Sequence, residues 1–241
     1  MNRPPRFALE SPPDDAGVAW VTGGELHHMR DVVRLREGAS VALLDAAGVE
    51  YQGALVKYER ARAAVRIDSR AAPRAAARIV LAAAIVKGPR MDLVVEKAAE
   101  LGAAELWPLV TARGLVRAPG AERLARWRRL ASTAAKQSLA PHSMIIRAPL
   151  QFADLIRSVP ADTLAIMCSA DARPLGDILM QAMPRAVLLA CGPEGDFAPN
   201  EHEAAAESGF IAAGLGPNRL RSETAALAAM SIAVERMNRG A

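Results

Sequence analysis

Residues 186–201 read AVLLACGPEGDFAPNE, and this stretch joins an apolar run to a glycine-rich turn. The run at 186–191 is continuously apolar rather than alternating, which is typical of a strand buried on both faces of a parallel sheet. The following turn, Gly192-Pro193-Glu194-Gly195, leads into Asp196 and contains no lysine. Glycine turns after strands often hold phosphate, which these two carboxylates would repel. The turn therefore favours a cationic ligand or one rich in hydrogen-bond donors, although it also fits an ordinary tight turn.

Similar apolar runs alternate with helical segments through the rest of the chain after residue 78. The other predicted strands are 79–86, 105–110, 163–168 and 210–215. Helical spacing of apolar residues predicts helices at 91–101, 122–140, 151–159, 175–183, 199–208 and 223–238. Because strands and helices alternate, the pattern predicts an α/β fold with a mostly parallel sheet.

The first part of the chain has a different pattern, typical of a small β-rich unit. We expect a strand at 18–23, helical spacing at 25–35, a hairpin at 39–58 that turns at Ala47-Gly48, and a strand at 62–67. Pro73 and a cluster of basic residues interrupt the periodicity, so we expect a linker at 68–78. The sequence thus predicts two domains, residues 1–72 and 73–241.

Composition excludes several classes of protein. The chain has 241 residues, of which 51% are hydrophobic, enough for a sizeable core. No apolar run is long enough to span a membrane, and the N-terminus lacks the apolar core of a signal peptide, so we expect a cytoplasmic protein. Cys168 and Cys191 are the only cysteines and form no CxxC motif. We therefore expect neither structural zinc, nor any other metal, nor a disulfide framework.

Charge is distributed unevenly along the chain. The formal net charge is +4, but residues 76–150 hold 12 basic and 5 acidic residues, whereas residues 151–241 hold 7 and 11. This asymmetry indicates a surface for a polyanion, although an arginine-rich composition with only four lysines also fits coding bias. Arg126, Arg129, Thr133 and Lys136 share one face of a predicted helix, which either follows phosphates or is an ordinary solvated face.

Three loops follow predicted strands, where open α/β sheets bind their ligands. They come after Cys168, after Cys191 and after Leu215. These loops contain neither a P-loop nor the GxGxxG dinucleotide motif, and the four histidines lie in unrelated segments. S-adenosylmethionine, with its sulfonium, ammonium, ribose and adenine groups, fits a pocket lined by carboxylates and glycines.

Four motifs together resemble one known family. They are HHMRDVVRLREGASVALLD (27–45), KGPRMDLVVEKAAELGAAELWPLVTAR (87–113), LLACGPEGDFAPNE (188–201) and GLGPNRLRSETAALAA (214–229). In this order and spacing they resemble the RsmE-type small-subunit rRNA uracil-N3 methyltransferases of the SPOUT superfamily. The resemblance covers nearly the whole chain.

The resemblance implies a PUA-like β-barrel RNA-binding domain, then an α/β domain with a C-terminal trefoil knot, in a homodimer that uses S-adenosylmethionine. The substrate would be small-subunit rRNA, either free or in the assembled subunit. The implied cofactor-binding residues are Cys168, Gly192, Glu194, Gly195, Leu215, Gly216, Leu220, Arg221, Thr224 and Ala225. The implied RNA-binding residues are Arg30, Arg34, Arg36, Lys87, Arg90, Arg113, Arg126, Arg129, Lys136 and Gln137.

The implied chemistry requires removal of a proton from uracil N3 and stabilisation of the resulting negative charge. We assign the second role to Arg221, whose guanidinium would act electrostatically. Glu223, Glu194 or the RNA itself would take the proton. Glu223 also fits a purely structural role, because a carboxylate near a helix N-terminus is favoured by the helix dipole.

Three departures from the family pattern affect the expected function. Asp196 replaces a glycine, Ala198 replaces a Ser or Thr so that we expect the capping box with Glu201 to be lost, and the stretch 136–142 lacks an expected arginine. The leading hypothesis is methylation of uracil N3. The alternatives are a paralogue with a different RNA target and a non-catalytic rRNA-binding assembly factor.

Overall fold

The computed structural model describes residues 4–45, 48–71, 77–116, 118–138, 140 and 143–237. They form two compact units, residues 1–76 and 77–241. Within the described ranges, no helix is both long and apolar enough to cross a membrane.

The N-terminal unit is a five-stranded sheet with one short helix. Its elements are β1 (Arg6–Leu9), β2 (Val18–Thr22), α1 (Gly23–His27), which continues into a π-helical turn (His28–Val32), β3 (Ser40–Asp45), β4 (Glu50–Tyr58) and β5 (Arg62–Ala71). The strand order is β1-β3-β4-β5-β2, with β1 parallel to β3 and the other pairs antiparallel. The edge strands β1 and β2 also contact each other, so the sheet partly closes on itself. Its core contains Phe7, Val21, Met29, Leu43 and Leu55.

Sequence patterns located most, but not all, of this unit. The strand at 18–23, the paired strands within 39–58 and the strand at 62–67 are present, although Ala47 of the predicted turn lies outside the described residues. The linker prediction of 68–78 is wrong at both ends, because β5 continues to Ala71 and the next strand begins at Arg78. Residues 68–71 have exposed polar or small side chains and join the sheet through pairing with β4, which conceals the strand in the sequence. The sequence pattern also missed β1, which has only four residues.

The C-terminal unit is built around a parallel sheet. Its strands are β6 (Arg78–Ala84), β7 (Glu105–Val110), β8 (Ile145–Ile146), β9 (Leu150–Gln151), β10 (Leu164–Cys168), β11 (Ala186–Cys191) and β12 (Ile211–Ala213). The order is β12-β10-β11-β6-β7-β8, with β9 also beside β7, and every pair is parallel. The predicted α/β class is therefore confirmed.

Helices cover both faces of this sheet. They are α2 (Pro89–Glu100), α3 (Ala121–Gln137), α4 (Phe152–Ser158), α5 (Leu175–Ala182), α6 (Pro199–Glu207) and α7 (Ser222–Met237). Alternate side chains of β6 point to opposite faces: Ile79 and Leu81 pack with α2, α3, α5 and α7, and Val80 and Ala82 pack with α4 and α6. All six helices lie close to their predicted positions. The predicted extension of α3 to residue 140 is wrong, since Ser138 already has a non-helical backbone.

Because all these strands are parallel, their carboxyl ends lie along one edge of the sheet. Met167 of β10 is in register with Ala190 of β11, so Cys168 and Cys191 end neighbouring strands. Both are reduced and buried, with their sulfur atoms 3.6 Å apart. The hydrogen bond between the two thiols, together with burial, raises the pKa of Cys191 well above its usual value. The carboxyl ends of β10 and β11, which carry two of the predicted loops, are therefore closely packed.

A buried carboxylate lies at the other end of the strands, where their amino ends meet. Glu105, the first residue of β7, is 5% exposed and accepts hydrogen bonds from Arg78 (2.5 Å), Arg147 (2.5 Å) and Trp107 (2.8 Å). Burial alone would raise the pKa of Glu105, but the hydrogen bonds from Arg147, Trp107 and Arg78 outweigh it and lower the pKa to about 2. Glu105 therefore stabilises the fold as an anion.

We expect the Glu105→Gln variant to be less stable than the wild type at pH 7, by at most about 3 kcal/mol. A carboxyl whose pKa is lowered by folding stabilises above its unfolded pKa of 4.5, and this stabilisation is lost as the pH falls to about 2. Urea unfolding at several pH values measures the difference, which should shrink below pH 4.5. Glu100→Gln, on the surface of α2, is the control. Equal pH dependence of the Glu105→Gln variant and the wild type would contradict the assignment.

Candidate functional site

The loop after β11, residues 192–197, which we call the first loop, is held in place by the buried side chain of Phe197. Phe197 is 1% exposed and packs against Phe152, with ring centroids 5.2 Å apart. A Cβ at Gly192 would lie 3.1 Å from the Phe197 ring, closer than side chains normally approach, so glycine allows the loop to fold back over this ring. The Asp196 amide donates to the Pro193 carbonyl (2.9 Å) and closes a turn.

Asp196 has a structural explanation. Its φ of +62° lies in the left-handed region, which glycine adopts most easily and aspartate tolerates. One carboxylate oxygen accepts a hydrogen bond from the Phe197 amide (2.7 Å), and the other lies 3.6 Å from His202 Nε2. The carboxylate therefore interacts with its own turn and with α6, and the family's usual glycine fits the same backbone.

Arg113 connects this loop to the segment after β7. Its Nη1 donates to the carbonyls of Gly195 (2.9 Å) and Phe197 (3.4 Å). The family resemblance predicts that Arg113 binds RNA. The RNA contact stays a prediction, whereas the geometry shows that the guanidinium braces the loop.

Glu201 provides a second connection between these segments. Its side chain accepts hydrogen bonds from the amides of Ala198 (2.8 Å) and Ala112 (2.9 Å) and is 6% exposed. The prediction that the capping box is lost is thus half wrong: Ala198 has no oxygen to cap the helix, but Glu201 still makes its own half of the box. The same carboxylate ties α6 to the chain after β7, a contact that sequence spacing does not reveal.

One arginine lies between two carboxylates from distant parts of the chain. Arg90, in the first turn of α2, donates a hydrogen bond to Glu194, and its Nη1 lies 3.8 Å from Glu223 Oε2. The hydrogen bond and charge of Arg90 lower the pKa of Glu194, and Glu194 in turn raises the pKa of Arg90. Glu223 is 8% exposed, and its Oε2 is buried without a hydrogen bond among the described residues. A ligand with a positive charge or an N–H group could use this oxygen.

The loop before α7 contributes mainly backbone and apolar surface. Leu215 and Leu220 are half-buried, Gly216 has a φ of +127° that side chains rarely adopt, and Arg221 is exposed. The Ala225 amide donates to the Arg221 carbonyl (2.8 Å), so the helix begins directly after this loop. Thr224 is exposed and Ala225 half-buried.

A cavity of about 210 Å³ lies beside the first loop. It is lined by Ile85, Val86, Lys87, Arg90, Arg113, Leu115, Val116, Pro193, Glu194 and Gly195. It combines two predicted cofactor-binding residues with three predicted RNA-binding ones, whereas Cys168, Gly192 and residues 215–225 lie outside its lining. The sequence pattern does not predict its apolar wall, because nothing in the sequence indicates that residues 85–86 and 115–116 line one cavity.

A second groove and the potential metal ligands point to no further site among the described residues. An open groove of about 500 Å³ lies between α4 and α6 and contains none of the predicted site residues. Within the part of the chain that the structure describes, no group of three or more His, Cys, Asp or Glu could hold a metal ion.

The remaining predicted RNA-binding residues are surface groups. On α3, Arg126 pairs with Asp92 (2.6 Å), and Arg129, Lys136 and Gln137 are exposed. In the N-terminal unit, Arg30 pairs with Asp31 (3.1 Å), and Arg34 and Arg36 are exposed. Leu139, Pro141 and His142 of the divergent stretch lie outside the described residues.

Comparison with protein families identifies the chain. The sequence model of the RNA methyltransferase domain matches residues 73–234, and that of the RNA methyltransferase PUA domain matches residues 21–68. The chain belongs to the RNA methyltransferase family. The family assignment that the motifs indicated is thereby confirmed.

Individual relatives agree with this assignment. A protein of Synechocystis sp. named ribosomal RNA small subunit methyltransferase E is 31% identical over 88% of this chain and 71% of its own. The crystal structure of a ribosomal RNA small subunit methyltransferase E from Neisseria gonorrhoeae bound to S-adenosyl methionine is 30% identical, has a TM-score of 0.65 and covers 96% of this chain and 97% of its own. A Legionella pneumophila protein solved with the bound cofactor SAM is 28% identical, has a TM-score of 0.64 and covers 97% and 98%.

Replacing Glu201 by alanine tests the connection between α6 and the segment after β7. The Glu201→Ala variant leaves the buried Ala198 amide and the part-buried Ala112 amide without their acceptor, so we expect a loss of about 1–3 kcal/mol in unfolding free energy. Urea denaturation measures this loss. The matched control is Glu203→Ala on the exposed face of the same helix, for which we expect a change below about 0.5 kcal/mol. Equal stability of the two variants would show that the Glu201 hydrogen bonds contribute nothing.

Proposed function

We propose that this protein is an S-adenosylmethionine-dependent methyltransferase that acts on uracil N3 of small-subunit rRNA. The observation that carries the proposal is the match to a ribosomal RNA small subunit methyltransferase E bound to S-adenosyl methionine, over nearly the full length of both chains. The loops at the carboxyl edge of the parallel sheet supply a site of the expected kind. The uracil N3 target follows from the family resemblance of the quoted motifs.

The residues at the carboxyl edge fit S-adenosylmethionine. The cofactor has two positive groups, and the Glu223 Oε2 is buried without a hydrogen bond while Glu194 lies nearby across Arg90. The half-buried Leu215 and Leu220 offer apolar surface for an adenine ring. The residues that would hold the cofactor are Cys168, Gly192, Glu194, Gly195, Leu215, Gly216, Leu220, Arg221, Thr224 and Ala225.

When bound, S-adenosylmethionine supplies an electrophilic methyl group attached to sulfur. The protein must remove the N3 proton of uracil and stabilise the charge that remains on the base. Glu223 is the better proton acceptor of the two candidate carboxylates, because its Oε2 forms no hydrogen bond among the described residues, whereas Glu194 already accepts one from Arg90, which lowers the pKa of Glu194. The exposed guanidinium of Arg221 would stabilise the negative charge.

Several broader features belong to the same proposal. The basic surface residues of α3 and of the N-terminal unit would contact RNA phosphates, and the substrate would be small-subunit rRNA or the assembled subunit. We also propose a homodimer, a cytoplasmic location, functional domains at 1–72 (PUA-like, RNA-binding) and 73–241 (SPOUT methyltransferase), and a trefoil knot in the C-terminal domain. The family resemblance supports each of these.

Substitution of Gly195 tests the cofactor site. The nearest side-chain atoms to a Cβ at this position belong to Arg113, at 3.7 Å, so a small side chain fits, but an indole would push against Arg113 and displace the loop backbone at residues 192–195 that would hold the cofactor. We expect wild-type protein to bind S-adenosylmethionine and to methylate small subunits, and the Gly195→Trp variant to bind it at least about tenfold more weakly. Isothermal titration calorimetry measures the affinity.

The control is Gly120→Trp, at an exposed position where a Cβ meets no atom within 4 Å. This variant should bind the cofactor like the wild type, and both variants should keep the wild-type melting temperature within a few degrees. If wild-type protein that binds S-adenosylmethionine methylates no RNA, the non-catalytic assembly factor becomes the better reading. If Gly195→Trp binds normally, the first loop is not part of the cofactor site.

A further inference from the structure

The cavity of about 210 Å³ combines apolar walls with a one-sided set of hydrogen-bonding groups. Ile85 and Val86 leave β6 on one side, Leu115 and Val116 lie on the segment after β7, and Pro193 begins the first loop. Leu115 is 79% exposed, although its side chain is large and apolar. Apolar walls of this kind suit the flat faces of a ring.

Hydrogen-bond donors dominate the polar part of the lining. Glu194 is its only carboxylate and already accepts a hydrogen bond from Arg90, while Arg113 is bonded to backbone carbonyls. Lys87 is exposed and, within the described ranges, forms neither a hydrogen bond nor a salt bridge. The side-chain groups left to meet a ligand are therefore the ammonium of Lys87, the remaining N–H groups of Arg90 and Arg113, and the second carboxylate oxygen of Glu194.

This pattern matches the Watson–Crick edge of uracil. Uracil carries two carbonyl oxygens, O2 and O4, on either side of N3, and both accept hydrogen bonds. Cytosine carries an amino group in place of O4, so its own donors would meet the donors of Lys87 or Arg90 and remain unpaired. A base modified at N3 must also leave its pair, and enzymes achieve this by flipping the base into a pocket.

We infer that this cavity holds the flipped-out target uracil, and that Lys87 and Arg90 select uracil by donating hydrogen bonds to O2 and O4. The inference deepens the proposed function and rests on it. It gives Lys87 and Arg90, which the family resemblance implies only as RNA-binding residues, a role at the base.

Lys87 and Arg90 would also stabilise the negatively charged base that remains after N3 loses its proton. The negative charge then spreads over O2 and O4, where the donors lie. The charged groups around the cavity are Lys87 and Arg90 at the start of α2, Arg113 after β7, Glu194 after β11, and Arg221 and Glu223 at the start of α7. Because Glu194 is paired with Arg90, the cations of this set that form no salt bridge within the described residues are Lys87, Arg113 and Arg221.

The Lys87→Gln variant tests this assignment. Glutamine can still donate a hydrogen bond, but it lacks the charge that stabilises deprotonated uracil. We expect the single-turnover rate of methyl transfer to assembled small subunits to fall at least about tenfold at pH 7, and the pH midpoint of the rate to rise by about one unit. S-adenosylmethionine affinity, measured by calorimetry, should not change. The matched control is Lys97→Gln on α2, the helix that follows Lys87, where the lysine pairs with Glu96 and Glu100 outside the cavity.

A more acidic substrate separates a role at the base from a general defect. Small subunits that carry 5-fluorouracil have a more acidic N3–H, so they should restore most of the rate of Lys87→Gln and change the Lys97→Gln rate no more than that of the wild type. A raised KM with a steeper loss in salt but unchanged kcat would instead identify Lys87 as a phosphate contact and overturn the assignment. Weakened S-adenosylmethionine binding would also overturn it, because the cavity would then belong to the cofactor. Failure of the wild type to methylate any RNA would overturn the proposed function itself.

Discussion

The strands of the large sheet all run in one direction, and the functional geometry of the protein depends on this constraint. A parallel sheet requires the chain to leave every strand at the same edge and to return through a crossover, so the segments after β6, β7, β10, β11 and β12 gather together. The buried, continuously apolar strands fix this arrangement because they are covered on both faces. Residues separated by 104 positions, such as Arg90 and Glu194, become hydrogen-bonded neighbours as a result.

Contacts that fix the loop after β11, and the pairing of Arg90 with Glu194, complete the site. Phe197 holds the first loop against the core, while Arg113 and Glu201 tie the loop and α6 to the segment after β7. Arg90 holds Glu194 as an anion and leaves Glu223 with an oxygen that forms no hydrogen bond among the described residues. A small region thus offers both a carboxylate for a cationic or proton-bearing group and free cations for a developing negative charge. The proposed methylation of uracil N3 would use both, because N3 must lose a proton and the base then carries a negative charge.

The sequence predicted the parts of the fold that depend on burial. The runs at 79–86, 105–110 and 186–191 are apolar because each strand is covered on both faces, so both their type and their position could be read directly. The strands β1, β8 and β9 have two to four residues, and their backbone pairing leaves little mark on side-chain composition. Residues 68–70 are polar and exposed and join β5 only through backbone pairing with β4, so the sequence pattern does not show where β5 ends.

The candidate site was predictable in its backbone but not in its side-chain contacts. The glycine turn at 192–195 and the loop before α7 stood out because strand ends and turn residues have sequence signatures. The partners of Arg90, Arg113 and Glu201 could not be predicted, because long-range contacts follow from the packing of the sheet and not from local spacing. The replacement of glycine by Asp196 became intelligible only when its left-handed backbone was known.

Nucleoside mass spectrometry of small-subunit rRNA from the source organism, with and without the gene for this protein, tests the proposed uracil N3 methylation directly. We expect N3-methyluridine to disappear from one position in the deletion strain. Adding purified protein and S-adenosylmethionine to those subunits should restore one methyl group at that position. If N3-methyluridine persisted at every position in the deletion strain, the protein would not be the uracil N3 methyltransferase proposed here.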